Sequence, residues 1–337
     1  MNPADSSPPA ESLWLSRYAK LVVCATFALI FIGGHTTTSG AGMAFADWPL
    51  SNGSLNPQGW WQNFMMRLEH GHRLTAGTVM TLVMVLFIWT LMRRRTLPRA
   101  SVGLASAALL GVFSQAILGG LRVILDPQGI AATTSTIATT FRVLHGCFAQ
   151  VELCLVVALA AVLSPVWPRL VTQPKFRKVM RLGWLTAGFI FLQLIVGATM
   201  RHLGAGLAIP SYPLMFDGAI MPKVHNAYVD LNFTHTRVLA LLVTVHVLLL
   251  ARRALISGEA RLARPAFLLV TLLVVQVLLG MFVIWHLRPP MLTTLHVVNG
   301  AAVFATTVFI AVRASRASAA VAEAESASQF HLTEATA

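Results

Sequence analysis

The apolar residues of this chain fall into eight long runs, near residues 17–35, 70–92, 101–122, 141–163, 180–200, 232–251, 265–286 and 291–312. Each is about 20 residues long, the length a helix needs to cross roughly 30 Å of hydrocarbon. The pattern predicts an all-α polytopic membrane protein with eight transmembrane helices. Three connections, near 36–69, 123–140 and 201–231, are long and carry turn formers and aromatics, among them Trp48, Pro49, Tyr212 and Pro213. In the first of these, Trp60 and Trp61 followed by Phe64, Met65 and Met66 predict a short helix lying at the headgroups. Connections on the opposite side are short and basic. A leader (1–16) rich in Pro, Ser and acid lacks the basic start of a secretory signal, and like the tail (313–337) it reads as disordered.

Composition agrees with that class. Of 337 residues, 56% are hydrophobic and only 11% charged, against about 25% charged in soluble domains. A formal charge of +13 would suit a nucleic-acid partner, but its placement argues otherwise. Seventeen Arg and Lys residues, such as Arg93, Arg94, Arg95, Arg177, Lys178, Arg252 and Arg253, lie on one side; only Arg67, Arg122, Arg201, Lys223 and Arg288 lie on the other. By the positive-inside rule the chain is a multi-pass protein of the cell (inner) membrane with both termini cytoplasmic. Cys24, Cys147 and Cys154 all sit inside apolar runs, so neither a disulfide nor a CxxC metal site is expected.

An internal repeat divides the spans. Gly40-Ala41-Gly42 through Trp48-Pro49-Leu50 matches Gly204-Ala205-Gly206 through Tyr212-Pro213-Leu214. Gln115 with Gly119, Gln193 with Gly197, and Gln276 with Gly280 share one spacing. The chain thus reads as two pseudo-symmetric four-helix bundles, 17–163 and 180–312, joined by a cytoplasmic linker (164–179).

Histidines obey the repeat. His72 and His145 open the second and fourth runs, and His235 and His296 open the sixth and eighth. All four helices enter from the outer side, so each half presents two imidazoles at one depth in the outer leaflet. Facing imidazoles in a bundle core are one way to hold a haem iron from both sides. A di-metal carboxylate site would need several Glu residues, and the spans contain only Glu69 and Glu152; zinc would want a third strong ligand. Two haems, one per half, fit best. A lone intramembrane histidine is more often a hydrogen-bond partner, and His70, His246, His35, His202, His225 and His286 (the last four at helix ends or in loops), with His331 in the tail, take a structural reading. Arg73, Arg142 and Arg237 lie within three residues of His72, His145 and His235 respectively and suit haem propionates, or else snorkel at helix ends.

The halves differ at one acid. Glu69 stands one turn before His72, where the second half has Asn232. An acid there can exchange a proton at the edge of the site; alternatively it pairs with Arg73 or caps its helix. Glu152, two turns after His145, could relay a proton or neutralise an arginine.

As a set, Glu69-x-x-His72-Arg73, His145, His235 and His296, together with the Thr38-Ser39-Gly40 to Trp48-Pro49 connection, resemble the haem A synthase family of cytochrome oxidase assembly. The likeness covers nearly all of residues 17–312. It implies conversion of the C8 methyl of haem O to the formyl of haem A by two hydroxylations and loss of water. His72 and His145 would hold the substrate haem, with Glu69 in the chemistry, while His235 and His296 keep a haem b that passes electrons. Membrane lipid, haem O synthase and cytochrome oxidase assembly factors are the implied partners, with room for a homo-oligomer. Departures are the missing cysteine pair of the outer loop, His235-Thr236-Arg237 in place of His-Arg, and no tyrosine after Glu69. Two other classes are a quinol-linked di-haem b electron carrier, with two unmodified haems and no dependence on Glu69, and a haem transporter or chaperone, which would bind haem loosely and survive loss of the His235/His296 pair.

Overall fold

A computed structural model describes residues 10–125, 136–170, 173–215 and 217–334. Most of the predicted leader, the middle of the 123–140 connection and residues 171–172 of the linker lie outside the described residues. Eight helices are long and apolar enough to span a membrane. They are α1 (Ala10–Thr38), α2 (Phe64–Met92), α3 (Ala100–Ile124), α4 (Thr136–Val162), α5 (Phe176–His202), α6 (Ala227–Leu255), α7 (Ala260–Trp285) and α8 (Pro290–Glu334).

The ends differ from the sequence reading in instructive ways. No separate headgroup helix forms at Trp60. Asn63 instead accepts the Met65 and Met66 amides at 3.0 and 3.1 Å, and this N-cap starts α2 at Phe64, so Phe64, Met65 and Met66 belong to α2 while Trp60 and Trp61 sit in turns. α8 remains helical to Glu334, well into the segment read as a disordered tail. The alanine-rich sequence 317–328 explains this, since alanine is the strongest helix former. α1 likewise begins at Ala10, inside the segment read as leader.

Packing is local within each half. α1 contacts α2, α2 contacts α3, α3 contacts α4, and α4 closes the ring on α1; α5, α6, α7 and α8 form a second ring in the same order. The rings meet where α4 lies against α8, flanked by α1 with α8 and α4 with α5. This arrangement is compatible with two pseudo-symmetric bundles. α4 and α8 are central: 56% and 50% of their spans are buried, against 17% for α3 and α7, which face outward. Polar ties cross between halves near the loop-rich end, where the Thr38 and Thr294 hydroxyls lie 2.8 Å apart and Arg201 donates to the Gly34 carbonyl at 3.3 Å.

One residue breaks the register of the repeat. His235 and Arg237 are separated by Thr236, whereas His72 and Arg73 are adjacent. α6 absorbs the extra residue in a π-helical turn over Thr234–Leu239, the usual way a helix accepts a single insertion. Both arginines then reach equivalent carbonyls. Arg73 donates to Asp47 at 2.7 Å and Arg237 to Ser211 at 2.6 Å, each the residue before the aromatic-proline pair.

Close helix contact in hydrocarbon depends on small residues. A Cβ added to Gly183 of α5 would lie 2.9 Å from Ala311 Cβ and 3.2 Å from its Cα on α8. Backbone cannot give way as a side chain can, so Gly183→Leu should destabilise the protein by about 1–3 kcal/mol. Thermal melting in detergent measures this, with Gly188→Leu, which points into open space, as the control. Equal melting temperatures for the two variants would contradict the packing described.

Candidate functional site

The four repeated histidines line two cavities. One, of about 340 Å³, lies inside the first ring and is bounded by His72 and His145. The other, of about 260 Å³, lies inside the second ring and is bounded by His235 and His296. His72 and His145 face one another with ring centroids 6.4 Å apart and planes at 86°. An edge-to-face aromatic contact could have that spacing. The surrounding cavity separates the cases, because the rings border open space instead of interlocking with other side chains.

Each imidazole has a glycine opposite it on the preceding helix. A Cβ on Gly33 of α1 would sit 2.7 Å from His72 Cε1; on Gly119 of α3, 3.1 Å from His145 Cε1; on Gly280 of α7, 3.2 Å from His296 Cε1. On Gly197 of α5 it would overlap His235 Cε1. Glycine therefore lets each ring lie directly on the neighbouring backbone. One turn before three of these glycines stands a glutamine. Gln193 donates to the His235 carbonyl at 2.9 Å, and Gln115 packs 3.1 Å from His145 Nδ1. Gln276 reaches His296 Nε2 at 3.3 Å, while Asn299 donates to its oxygen at 2.8 Å and so turns its NH₂ toward the ring. That leaves Nε2 of His296 as the acceptor nitrogen, the form a metal ligand must have.

The Nδ1 atoms of His72, His235 and His296 are buried and have no hydrogen-bond partner. Among the described residues no cluster of three or more His, Cys, Asp or Glu side chains could hold a bare metal ion. A site with two opposed imidazoles suits a metal that brings its other ligands with it, as a porphyrin does.

Loop 39–63 closes the first cavity. Trp48 lies flat on α3, its ring 2.6 Å from where a Gly120 Cβ would be. Arg73 knits the loop to α2 by donating to the carbonyls of Asp47 and Leu50 and to Glu69 Oε1, the last at 2.6 Å. Glu69 is 3% exposed, borders the cavity, and also accepts the Phe45 amide at 3.1 Å through Oε2. Asp47 accepts the Asn52 and Gly53 amides at 2.8 Å each. Burial works against its charge, but these amides and the Arg73 guanidinium outweigh it and hold the carboxyl below the usual aspartate range. Asn232, in the place of Glu69, donates to the Ala205 and Gly206 carbonyls at 2.9 and 3.1 Å. A neutral amide thus suffices to tether the loop in the second half.

Other predicted residues divide clearly. Arg73 and Arg237 serve loop carbonyls and stack over Phe45 and Tyr212 at 5.5 and 5.2 Å. Arg142 lines the first cavity, together with Arg122 and Arg201. Arg201 and Arg288 line the second. His70 bonds Ser51 at 3.0 Å and packs on Trp60, and His246 bonds the Leu242 carbonyl at 2.8 Å; both are structural. His202 is not merely a helix end, since with Arg201 it borders both cavities. Of the glycines opposite the histidines, Gly119, Gly197 and Gly280 were visible in sequence as marks of the repeat, and Gly33 was missed.

A family model described as cytochrome oxidase assembly protein matches residues 16–308. The chain belongs to that family. Among its relatives, the heme A synthase of Azorhizobium caulinodans is 26% identical, with 87% of this chain and 90% of that protein covered. For the heme A synthase of Caulobacter sp. (strain K31) the figures are 27%, 93% and 98%. That of Wolbachia pipientis is 25% identical over 80% of this chain and 87% of its own length. These three relatives are matched along 87% to 98% of their own length, and all four paired histidines lie within residues 16–308 matched by the family model.

A leucine at Gly197 would drive the His235 ring off the second cavity. If each histidine pair holds a haem, purified Gly197→Leu should lose the haem of that half and keep that of the first, as read from the haem-to-protein ratio. Gly103→Leu, where a side chain meets open space, should keep both. Full haem content in Gly197→Leu would show that the glycine contact does not position the histidine.

Proposed function

We propose that this chain is a haem A synthase that oxidises the C8 methyl group of haem O to a formyl group for cytochrome oxidase assembly. The single observation that carries the reading is the asymmetry at Glu69. Two equivalent cavities share paired histidines, opposed glycines and an arginine-tethered loop, yet only the first has a buried acid at its edge. Since Asn232 tethers its loop without charge, the carboxylate of Glu69 exceeds what the fold requires. Family membership and relatives named heme A synthase support the same reading.

In this reading His72 and His145 hold the haem O iron, and His235 and His296 hold a resident haem b. A haem held there would relay single electrons, while the oxidation of methyl to formyl draws its oxygen and oxidising equivalents from an external oxidant, dioxygen. Arg122, Arg142 and Arg201 in the first cavity, and Arg201 and Arg288 in the second, meet the propionates. Arg73 and Arg237 fix the loops that exclude water. Glu69, held by Arg73 and the Phe45 amide, keeps one carboxylate oxygen at the cavity wall to accept or return a proton as the methyl carbon is oxidised and water leaves. The basic ends of the helices face the cytoplasm with both termini, so the cavities open toward the outer leaflet. Neither an electron carrier nor a haem transporter requires an acid in one half alone.

Glu69→Gln keeps the shape and loses the proton. Loss of a general acid or base costs about 10²–10⁴ in rate, so haem A formed from supplied haem O should fall by at least about 100-fold while haem binding persists. Undiminished haem A production would exclude the assigned role.

A further inference from the structure

The two cavities differ again at their floors. Seven residues deeper than the layer of Gly33, His72, Gly119 and His145, about 10 Å along a helix, the first cavity is lined by Thr26, Val79, Val112 and Glu152. The corresponding layer of the second is Ile190, Val243, Leu273 and Val303; Val243 is one position later because of the π turn. These four side chains are apolar, although Thr244, next to Val243, and Gln150, which borders both cavities, also line this one.

Glu152 is 4% exposed, and neither of its carboxyl oxygens has a hydrogen-bond partner. Gly111 of α3 makes room for it, since a Cβ there would overlap Glu152 Oε2. Thr26, its polar neighbour in the layer, already donates to the Val22 carbonyl at 2.8 Å. An unpaired acid in mid-span is costly to keep, and a buried polar group without a partner calls for a ligand that supplies one.

We infer that Glu152 is a specificity-determining residue whose carboxyl hydrogen-bonds a hydroxyl group on the substrate's hydrocarbon arm. The inference rests on the haem O reading. Haem O differs from haem b on the edge opposite the propionates, where a hydroxyl-bearing farnesyl arm replaces a vinyl group. With propionates against the arginines at the loop-rich end, that edge descends toward Thr26 and Glu152. A haem b in the second cavity presents only vinyl groups there, and Ile190, Val243, Leu273 and Val303 offer no polar partner. Each floor therefore matches the edge of the haem that the reading assigns to it. At mid-span the carboxyl is most cheaply kept neutral, so it can both donate to and accept from a hydroxyl.

The test is a spectroscopic titration of the full-length protein in detergent with haem O and with haem b, scored as the ratio of their dissociation constants at the first cavity. His72→Ala identifies which binding belongs to that cavity. Wild type should prefer haem O by roughly ten- to a hundred-fold. Glu152→Leu should bring the ratio near one with haem b affinity unchanged, which shows that the variant is folded. Glu152→Gln, which still hydrogen-bonds, should keep most of the preference. A wild-type ratio in Glu152→Leu, or equal loss in the Gln and Leu variants, overturns the role of Glu152 and leaves the enzyme reading standing. Haem O binding that is indifferent to His72→Ala overturns the enzyme reading, and this inference with it.

Discussion

Everything in this molecule depends on an imidazole lying against a bare backbone. Four times, a glycine on one helix gives up its side-chain volume so that a histidine on the next can rest on it and face the bundle interior. In hydrocarbon such close approach is the main source of helix association. The same contact therefore holds the helices together and sets the direction of the ring. Because the contact is made twice in each ring of helices, each ring opens a cavity between two histidines, and the cavity is a consequence of how the bundle packs.

Around that frame the loops and arginines are supporting parts. Arg73 and Arg237 reach the carbonyls of Asp47 and Ser211 in equivalent ways, although the second half carries an extra residue between histidine and arginine. The π turn at Thr234–Leu239 takes up that residue and keeps the contact. Against this shared background two differences stand out, Glu69 in place of Asn232 and Glu152 in place of Val303. Both acids belong to the first cavity and both are buried. An ionisable group in the membrane interior marks function more often than structure.

Much of this was legible in the residues. Eight spans, the two-part repeat and the four histidines followed from runs of apolar residues and from matching Gly-x-Pro loops, signals that a bilayer makes strong because it admits few structures. Helix ends were less legible. The cap at Asn63 and the alanine-rich continuation of α8 are local effects that hydropathy does not register. Gly119, Gly197 and Gly280 were visible as a spacing but not as contacts, and Gly33, with no glutamine one turn before it, was not visible at all, since no sequence pattern states which helix faces which. Arg201 was read as an outer-side charge and His202 as a structural histidine, yet both border both cavities. The pairing of Glu69 with Arg73 was legible as an i, i+4 alternative and is present, whereas the bonds from Arg73 to loop carbonyls depend on how loop 39–63 folds back.

The central claim is that both histidine pairs hold iron. Electron paramagnetic resonance of the purified, oxidised protein loaded with haem tests it most directly. Two low-spin signals of bis-imidazole type are predicted, one abolished by His145→Ala and the other by His296→Ala. A high-spin spectrum from either half, or one unmoved by both substitutions, would contradict it.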